Sequence, residues 1–212
     1  MGFGLLRVLN DDTIQGGVEY EVGNDKPQRL GFGMHPHRDM EIVTIPLSGR
    51  IEHKDNHDHH GIIGAGDVQV MSAGTGITHS EFNASETDAV SVLQMWVETD
   101  AVDHDPRYED RKFPKAQKNT FQLLVSPDER DSSLMIHQQA FFNLGEFDAG
   151  QSTKYVLRDA KHGAYIFVVE GEVEVDGNTL GKRDAIGIWE SKEIELKIKQ
   201  DSKVLLIEVP MK

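Results

Sequence analysis

Short segments rich in β-branched residues recur along the whole chain, among them "EIVTIPL" (41–47), "DVQVM" (67–71), "VSVLQMWV" (90–97), "AYIFVVEGEVEV" (164–175), "IELKIK" (194–199) and "KVLLIEV" (203–209). Long helical periodicity is missing, so the chain is expected to be mostly strand. Glu172, Glu174 and Asp176 alternate with Val173 and Val175. That period of two gives one wet and one buried face, and Asp176-Gly177 then supplies a hairpin turn signal. Helix is expected only in short pieces, near "ASETDA" (84–89) or just after Pro106.

The two halves resemble each other. A shift of 122 residues carries Gly49 in "IPLSGRIEHKD" onto Gly171 in "FVVEGEVEVDG", and a shift of 117 carries Asp67 in "GAGDVQVMSAG" onto Asp184 in "GKRDAIGIWES". A nearly constant shift implies a duplicated β-domain, the alternative being that any two hairpins share glycine turns. The charged stretch "DHDPRYEDRKFP" (103–114) reads as the connection, and places the domains at 1–112 and 113–212.

A chain of 212 residues with 38% hydrophobic content can build a core without covalent staples. With 36 acidic against 22 basic residues the formal charge is −14, which disfavours phosphate backbones and anionic lipid, so neither nucleic acid nor membrane is expected as a partner. No apolar run approaches the roughly 20 residues needed to span a bilayer. The start "MGFGLLRVLNDD" lacks the regions of a signal peptide, which places the chain in the cytoplasm. Cysteine is absent, so disulfides, thiolate metal sites and cysteine nucleophiles are excluded together. Any metal must use nitrogen and oxygen ligands.

Such ligands are present at a telling spacing. His35 and His37 in "GFGMHPHRDMEIV" are two apart, as are His79 and Glu81 in "GTGITHSEFN". In extended chain, residues i and i+2 point to the same face, so each pair can aim both side chains at one point. Gly74 and Gly76 suit a tight loop that delivers His79. Three imidazoles and a carboxylate suit Fe, Ni, Cu, Mn or Zn and leave positions open for substrate or oxygen. The alternative is a set of histidines that merely hydrogen-bond at a barrel mouth.

"GMHPHRDMEIVTIPLSG" followed by "GDVQVMSAGTGITHSEFN" resembles the two metal motifs of the cupin superfamily, and more specifically the pirin family. "PRYEDRKFP" and "LLVSPDERDSSLMIHQQAFF" (123–142) are also similar to pirin-type sequence. The resemblance implies an all-β bicupin of two antiparallel β-barrel (jelly-roll) domains with a few short helices. It implies one divalent metal, Fe(II) first, with Ni, Mn, Cu or Zn as alternatives, held by His35, His37, His79 and Glu81. Glu41 occupies the slot after H-x-H where the general cupin pattern puts a ligand, and is expected to be structural here. Pirin-type chains usually carry a short segment ahead of the point where this one begins, which implies a shortened or alternative start. The histidine-rich "KDNHDHHG" (54–61), with His57, His59 and His60, is expected to be a solvated loop rather than a second metal site.

The second half keeps no ligand set: under the two shifts, His35, His37, His79 and Glu81 fall on Leu157, Asp159, Leu196 and Ile198. His137 and His162 stand alone and are expected to be surface or hydrogen-bonded residues. By the resemblance, the activity is that of a flavonol 2,4-dioxygenase (quercetinase), cleaving a flavonol with O2 and releasing carbon monoxide, with Glu81 as the catalytic base. Arg38 is a candidate to steer an anionic substrate, and Phe32 and Met34 are candidates for its apolar walls, with plain packing as the alternative for all three. The other class of function is a metal-containing, redox-sensitive regulator that binds a protein partner. A monomer is expected, because a bicupin satisfies its barrel contacts within one chain.

Overall fold

The computed structural model describes residues 2–19 and 28–212. The first half contributes β1 (Leu6–Ile14), β2 (Val18–Glu19), β3 (Gln28–Arg29), β4 (Gly31–His37), β5 (Met40–Ser48), β6 (Arg50–Asp55), β7 (His60–Gly64), β8 (Asp67–Ser72), β9 (Ile77–Asn83), β10 (Val90–Glu98) and β11 (Arg107–Lys112). The second contributes β12 (Phe121–Ser126), β13 (Leu134–Met135), β14 (Phe141–Phe147), β15 (Ser152–Val156), β16 (His162–Glu170), β17 (Val173–Val175), β18 (Asn178–Leu180), β19 (Ala185–Trp189), β20 (Glu193–Ile198) and β21 (Ser202–Pro210). By its internal contacts the chain divides into Arg7–Pro114 and a second unit made of the chain up to Leu6 together with Lys115–Lys212.

In the first unit a five-stranded sheet, β1-β10-β5-β8-β11, accompanies a four-stranded sheet, β4-β9-β6-β7. Apolar side chains from both sheets meet in shared clusters: Ile14, Val90 and Val92 with Ile51 and Ile63, and Ile42 and Met71 with Ile77. Each such burial is worth about 1.5–3 kcal/mol against exposure. The second unit repeats the plan. The order β1-β10-β5-β8 recurs as β14-β21-β16-β19, and β4-β9-β6-β7 recurs as β15-β20-β17-β18. Gly49 and Gly171 take the same place, after β5 and after β16, with φ of 70° and 89°. A Cβ on Gly171 would stand 2.3 Å from the Asp201 carbonyl oxygen, and one on Gly49 2.6 Å from that of Ala89. The 122-residue shift therefore marks a turn that only glycine accommodates.

Local patterning is obeyed closely. In β20, Ile194, Leu196 and Ile198 are buried while Glu193, Glu195 and Lys197 are exposed. Val175 pairs with Asn178 across Asp176-Gly177, both at positive φ, as a two-residue hairpin turn requires. The helix expectations are corrected. Among the described residues there is no α-helix, only a 3₁₀ turn at Arg130–Ser132. Residues 84–89 form turns held by Ser85, Thr87 and Asp88 hydrogen bonds. The stretch after Pro106 is β11, drawn into the sheet by antiparallel pairing with β8. Tertiary pairing overrides local preference there.

Candidate metal centre

β4 and β9 are neighbours in the four-stranded sheet, with His35 directly opposite His79 and His37 opposite Ile77. A register shift between Phe32 and His35 interrupts the ladder, and the Gly33 carbonyl accepts a hydrogen bond from His35 Nδ1 at 2.8 Å. That bond leaves Nε2 of His35 as the bare nitrogen. The turn into β9 uses Gly74 and Gly76 at φ of 46° and 140°, and a Cβ on Gly74 would lie 2.0 Å from the His104 carbonyl oxygen.

The three rings gather around one point. Their centroids are 4.3 Å (His35 to His79), 4.9 Å (His35 to His37) and 5.0 Å (His37 to His79) apart, and one ring nitrogen from each lies within 4.8 Å of the others. His79 is fully buried, while His35 and His37 are half-buried. Nε2 of His37 and Nε2 of His79 are buried with no hydrogen-bond partner among the described residues. Buried nitrogens without a partner are costly, and two of them aimed together fit a cation that accepts imidazole donors.

Glu81 is 2% exposed, on the same strand as His79. Its carboxylate groups with His53 and His79 rather than with the three-histidine set, and Gln94 Nε2 donates to both of its oxygens, at 2.9 and 2.7 Å. Trp96 Nε1 donates to Gln94 Oε1 at 3.0 Å, which fixes the amide, and its ring meets the His37 ring edge-on at 4.8 Å. Beside them opens a cavity of about 220 Å³ lined by Phe32, His35, Ile51, Glu81, Gln94 and Trp96, among others.

Several sequence candidates lie elsewhere. Glu41 is buried on β5, in the other sheet, and accepts from Ser72 Oγ at 2.7 Å. Met34 is 59% exposed and does not line the cavity. Arg38 donates to the Thr75 carbonyl at 2.9 Å and pairs with Asp39 and Asp103, also away from the cavity wall. His57 faces the Gly76 carbonyl, His59 faces Asp55, and His60 faces Glu52; none joins a group of converging ligand atoms among the described residues. In the second unit, His162 is buried against Glu208 at 2.8 Å, and His137 is half-buried. There Leu196 and Ile198, on which the 117-residue shift sets His79 and Glu81, belong to the apolar core; opposite Leu196, where His35 stands opposite His79, the residue is Thr153 rather than the Leu157 that the 122-residue shift gives. His53, Gln94 and Trp96 were not singled out from the sequence.

Residues 6–97 match the family model described as pirin, and residues 123–209 match the one described as quercetinase C-terminal cupin domain. The chain belongs to the pirin family. It is 39% identical over 211 residues to the quercetin 2,3-dioxygenase of Escherichia coli K12, covering 99% of this chain and 84% of that one. It is 36% identical over 210 residues to a pirin-like protein of Caulobacter vibrioides, covering 98% and 84%. Among solved structures, the E. coli pirin YhhW in complex with nickel(II) superposes with a TM-score of 0.88 at 37% identity, over 100% of this chain and 85% of that one.

Electrostatics in this pirin favour neutral imidazoles. Burial, then the neighbouring His35, lowers His37 to about 4; burial, then the charges of His35, His53 and His37, lowers His79 to about 2. Burial also pushes the Glu81 carboxyl above its ordinary range, partly offset by Gln94. An unfolded histidine titrates near 6.5, so through His37, His79 and the likewise lowered His53 the folded chain binds fewer protons than the unfolded chain below that pH, which outweighs the one opposing group, the raised Glu81. Stability is therefore lost as pH falls. The metal-free protein is expected to lose on the order of 2 kcal/mol between pH 6.5 and 5, with His79 and His37 contributing about equally because both stay neutral in the folded chain across that window. Thermal melts at half-unit intervals read this, and a flat Tm over the window would contradict a buried neutral pair.

Proposed function

We propose that this pirin is a metal-dependent dioxygenase that opens a flavonol such as quercetin with O2 and releases carbon monoxide. The observation that carries the reading is the convergence of three imidazoles, two with unpartnered buried nitrogens, beside a cavity whose wall includes one of them, His35, and the buried carboxylate of Glu81. The names of the E. coli relatives support the substrate class. We assign a single iron(II); nickel is the first alternative, given the nickel(II) complex of the E. coli pirin, and manganese, copper and zinc also accept nitrogen and oxygen donors. Held by His35, His37 and His79, and by Glu81 as fourth ligand once its carboxylate turns from the His53 side toward them, the ion would supply Lewis acidity toward the flavonol hydroxyl oxygen and open positions for exchange.

The chain's own groups then have distinct tasks. Glu81, raised above ordinary carboxylates by burial, is the base that takes the substrate hydroxyl proton at a carboxylate oxygen. Gln94 holds that carboxylate, and Trp96 holds Gln94. Phe32, Ile51 and Val92 give the cavity apolar walls, beside the polar Asn10 and Asp12. At about 220 Å³ the cavity is below the ~300 Å³ at which pockets enclose drug-sized ligands, so it grips one end of a three-ring flavonol. Phe32, 45% exposed at its edge, is placed to cover the rest.

The test is to follow, under air, loss of the flavonol absorbance band together with carbon monoxide in protein purified with its native metal. Parallel loss and release, abolished by chelation and restored by iron, is the expected result. Bound metal with untouched flavonol would overturn the substrate assignment.

A further inference from the structure

His79 offers Nε2 to the point where it meets His35 and His37 only if its single proton sits on Nδ1. That Nδ1 faces Nδ1 of His53 at 3.3 Å, so the His53 nitrogen must be the bare one and accept. His53 then carries its proton on Nε2, which faces Asp55 Oδ2 at 3.0 Å. An ionised carboxylate only accepts, so Asp55 sets the direction of every proton back to His79. β6 delivers both residues by pairing with β9, with His53 opposite Glu81 and Asp55 opposite His79.

We infer that Asp55 and His53 are positioning residues that lock His79 in the tautomer whose Nε2 lone pair faces His35 and His37; the inference rests on the metal reading above. The relay is built rigidly. The His53 and Asp55 side chains are almost wholly buried, and the Tyr108 ring stacks on His53 at 4.6 Å and on His59 at 5.5 Å. Asp55 is oriented by three further donors: the backbone N–H groups of His57 and His59 reach Oδ1 at 2.9 and 3.1 Å, and His59 Nδ1 reaches Oδ2 at 2.9 Å. Ligand-orienting partners of this kind are typically worth 10–100-fold in metal affinity.

The geometry makes Asp55→Asn a directed test. The two backbone N–H groups hold the surviving carbonyl oxygen at the Oδ1 position, so the new amide NH₂ falls where Oδ2 stood and donates to His53 Nε2. The tautomer of His53 inverts, its Nδ1–H meets His79 Nδ1, and the His79 proton is driven onto Nε2, where a metal must displace it. Nickel(II) affinity, measured by competition with a chromophoric chelator, is expected to fall roughly 10–100-fold, with the metal-free melting curve little changed. Equal affinity in variant and wild type would overturn the relay. Should the variant fail to fold, ¹⁵N chemical shifts of the histidine rings in metal-free wild-type protein decide: protonated Nδ1 with bare Nε2 on His79 supports the relay, and the reverse overturns it. Wild-type protein that takes up no nickel would sink the metal reading, while the ¹⁵N result would still judge the relay.

Discussion

His37→Ala is expected to abolish metal binding, and flavonol turnover with it, while leaving the metal-free fold intact. Two imidazoles, His35 and His79, remain in the variant, and the loss of a direct donor should exceed the ~100-fold upper range for an outer partner. The metal-free protein sees two opposed changes. Alanine removes a buried nitrogen that has no partner among the described residues, a gain, and it removes the edge contact to the Trp96 ring at 4.8 Å, a loss. The two should nearly cancel. Metal is different, because a ligand that binds only the folded state stabilises it by about 2.7 kcal/mol at a hundredfold excess over Kd. Wild-type Tm should therefore rise on adding iron(II) or nickel(II), and the variant's should not. A variant that keeps the wild-type rise would remove His37 from the centre.

The three histidines were legible because strand geometry alone makes i and i+2 share a face, and β4 and β9 are strands. Their meeting was less so, because nothing local states that His35 pairs with His79. His53 shows the limit. "IEHKD" carries the same i, i+2 signature at His53 and Asp55, yet its meaning depends on β6 lying beside β9, a long-range pairing. Gln94 and Trp96 are a similar case, two apart on β10 in the other sheet, with only their chemistry at the cavity marking them out. The missing helices failed for the same reason: the charged run after Pro106 looks local, but it forms an edge strand because β8 offers it a ladder. Glycine turns and the repeat were easier to read, since turn glycines and a nearly constant shift are written into the residues themselves.

The second large effect is expected from Glu81→Gln, a change that separates two tasks of one carboxylate. Glutamine keeps the volume of a side chain that is 2% exposed, and its amide oxygen can still accept from Gln94 Nε2, which now reaches both carboxylate oxygens. The fold should therefore survive. What disappears is the proton acceptor and the negative charge. Loss of a positioned base typically costs 10²–10⁴ in rate, so kcat should fall by about that factor when metal is supplied to saturation. KM should move little, because Phe32, Ile51 and Val92 still wall the cavity. Metal affinity, read separately, reports the ligand task. Weaker metal binding with normal turnover at saturation would make Glu81 a ligand and not the base, and unchanged affinity with collapsed kcat would make it the base alone. Full turnover with full metal would exclude both. Glu41→Gln is the matching control: that acid accepts from Ser72 in the other sheet, and its replacement should leave kcat within a few-fold at saturating metal. The two acids lie close to the histidine pairs in sequence, and only the sheet that carries each one distinguishes their roles.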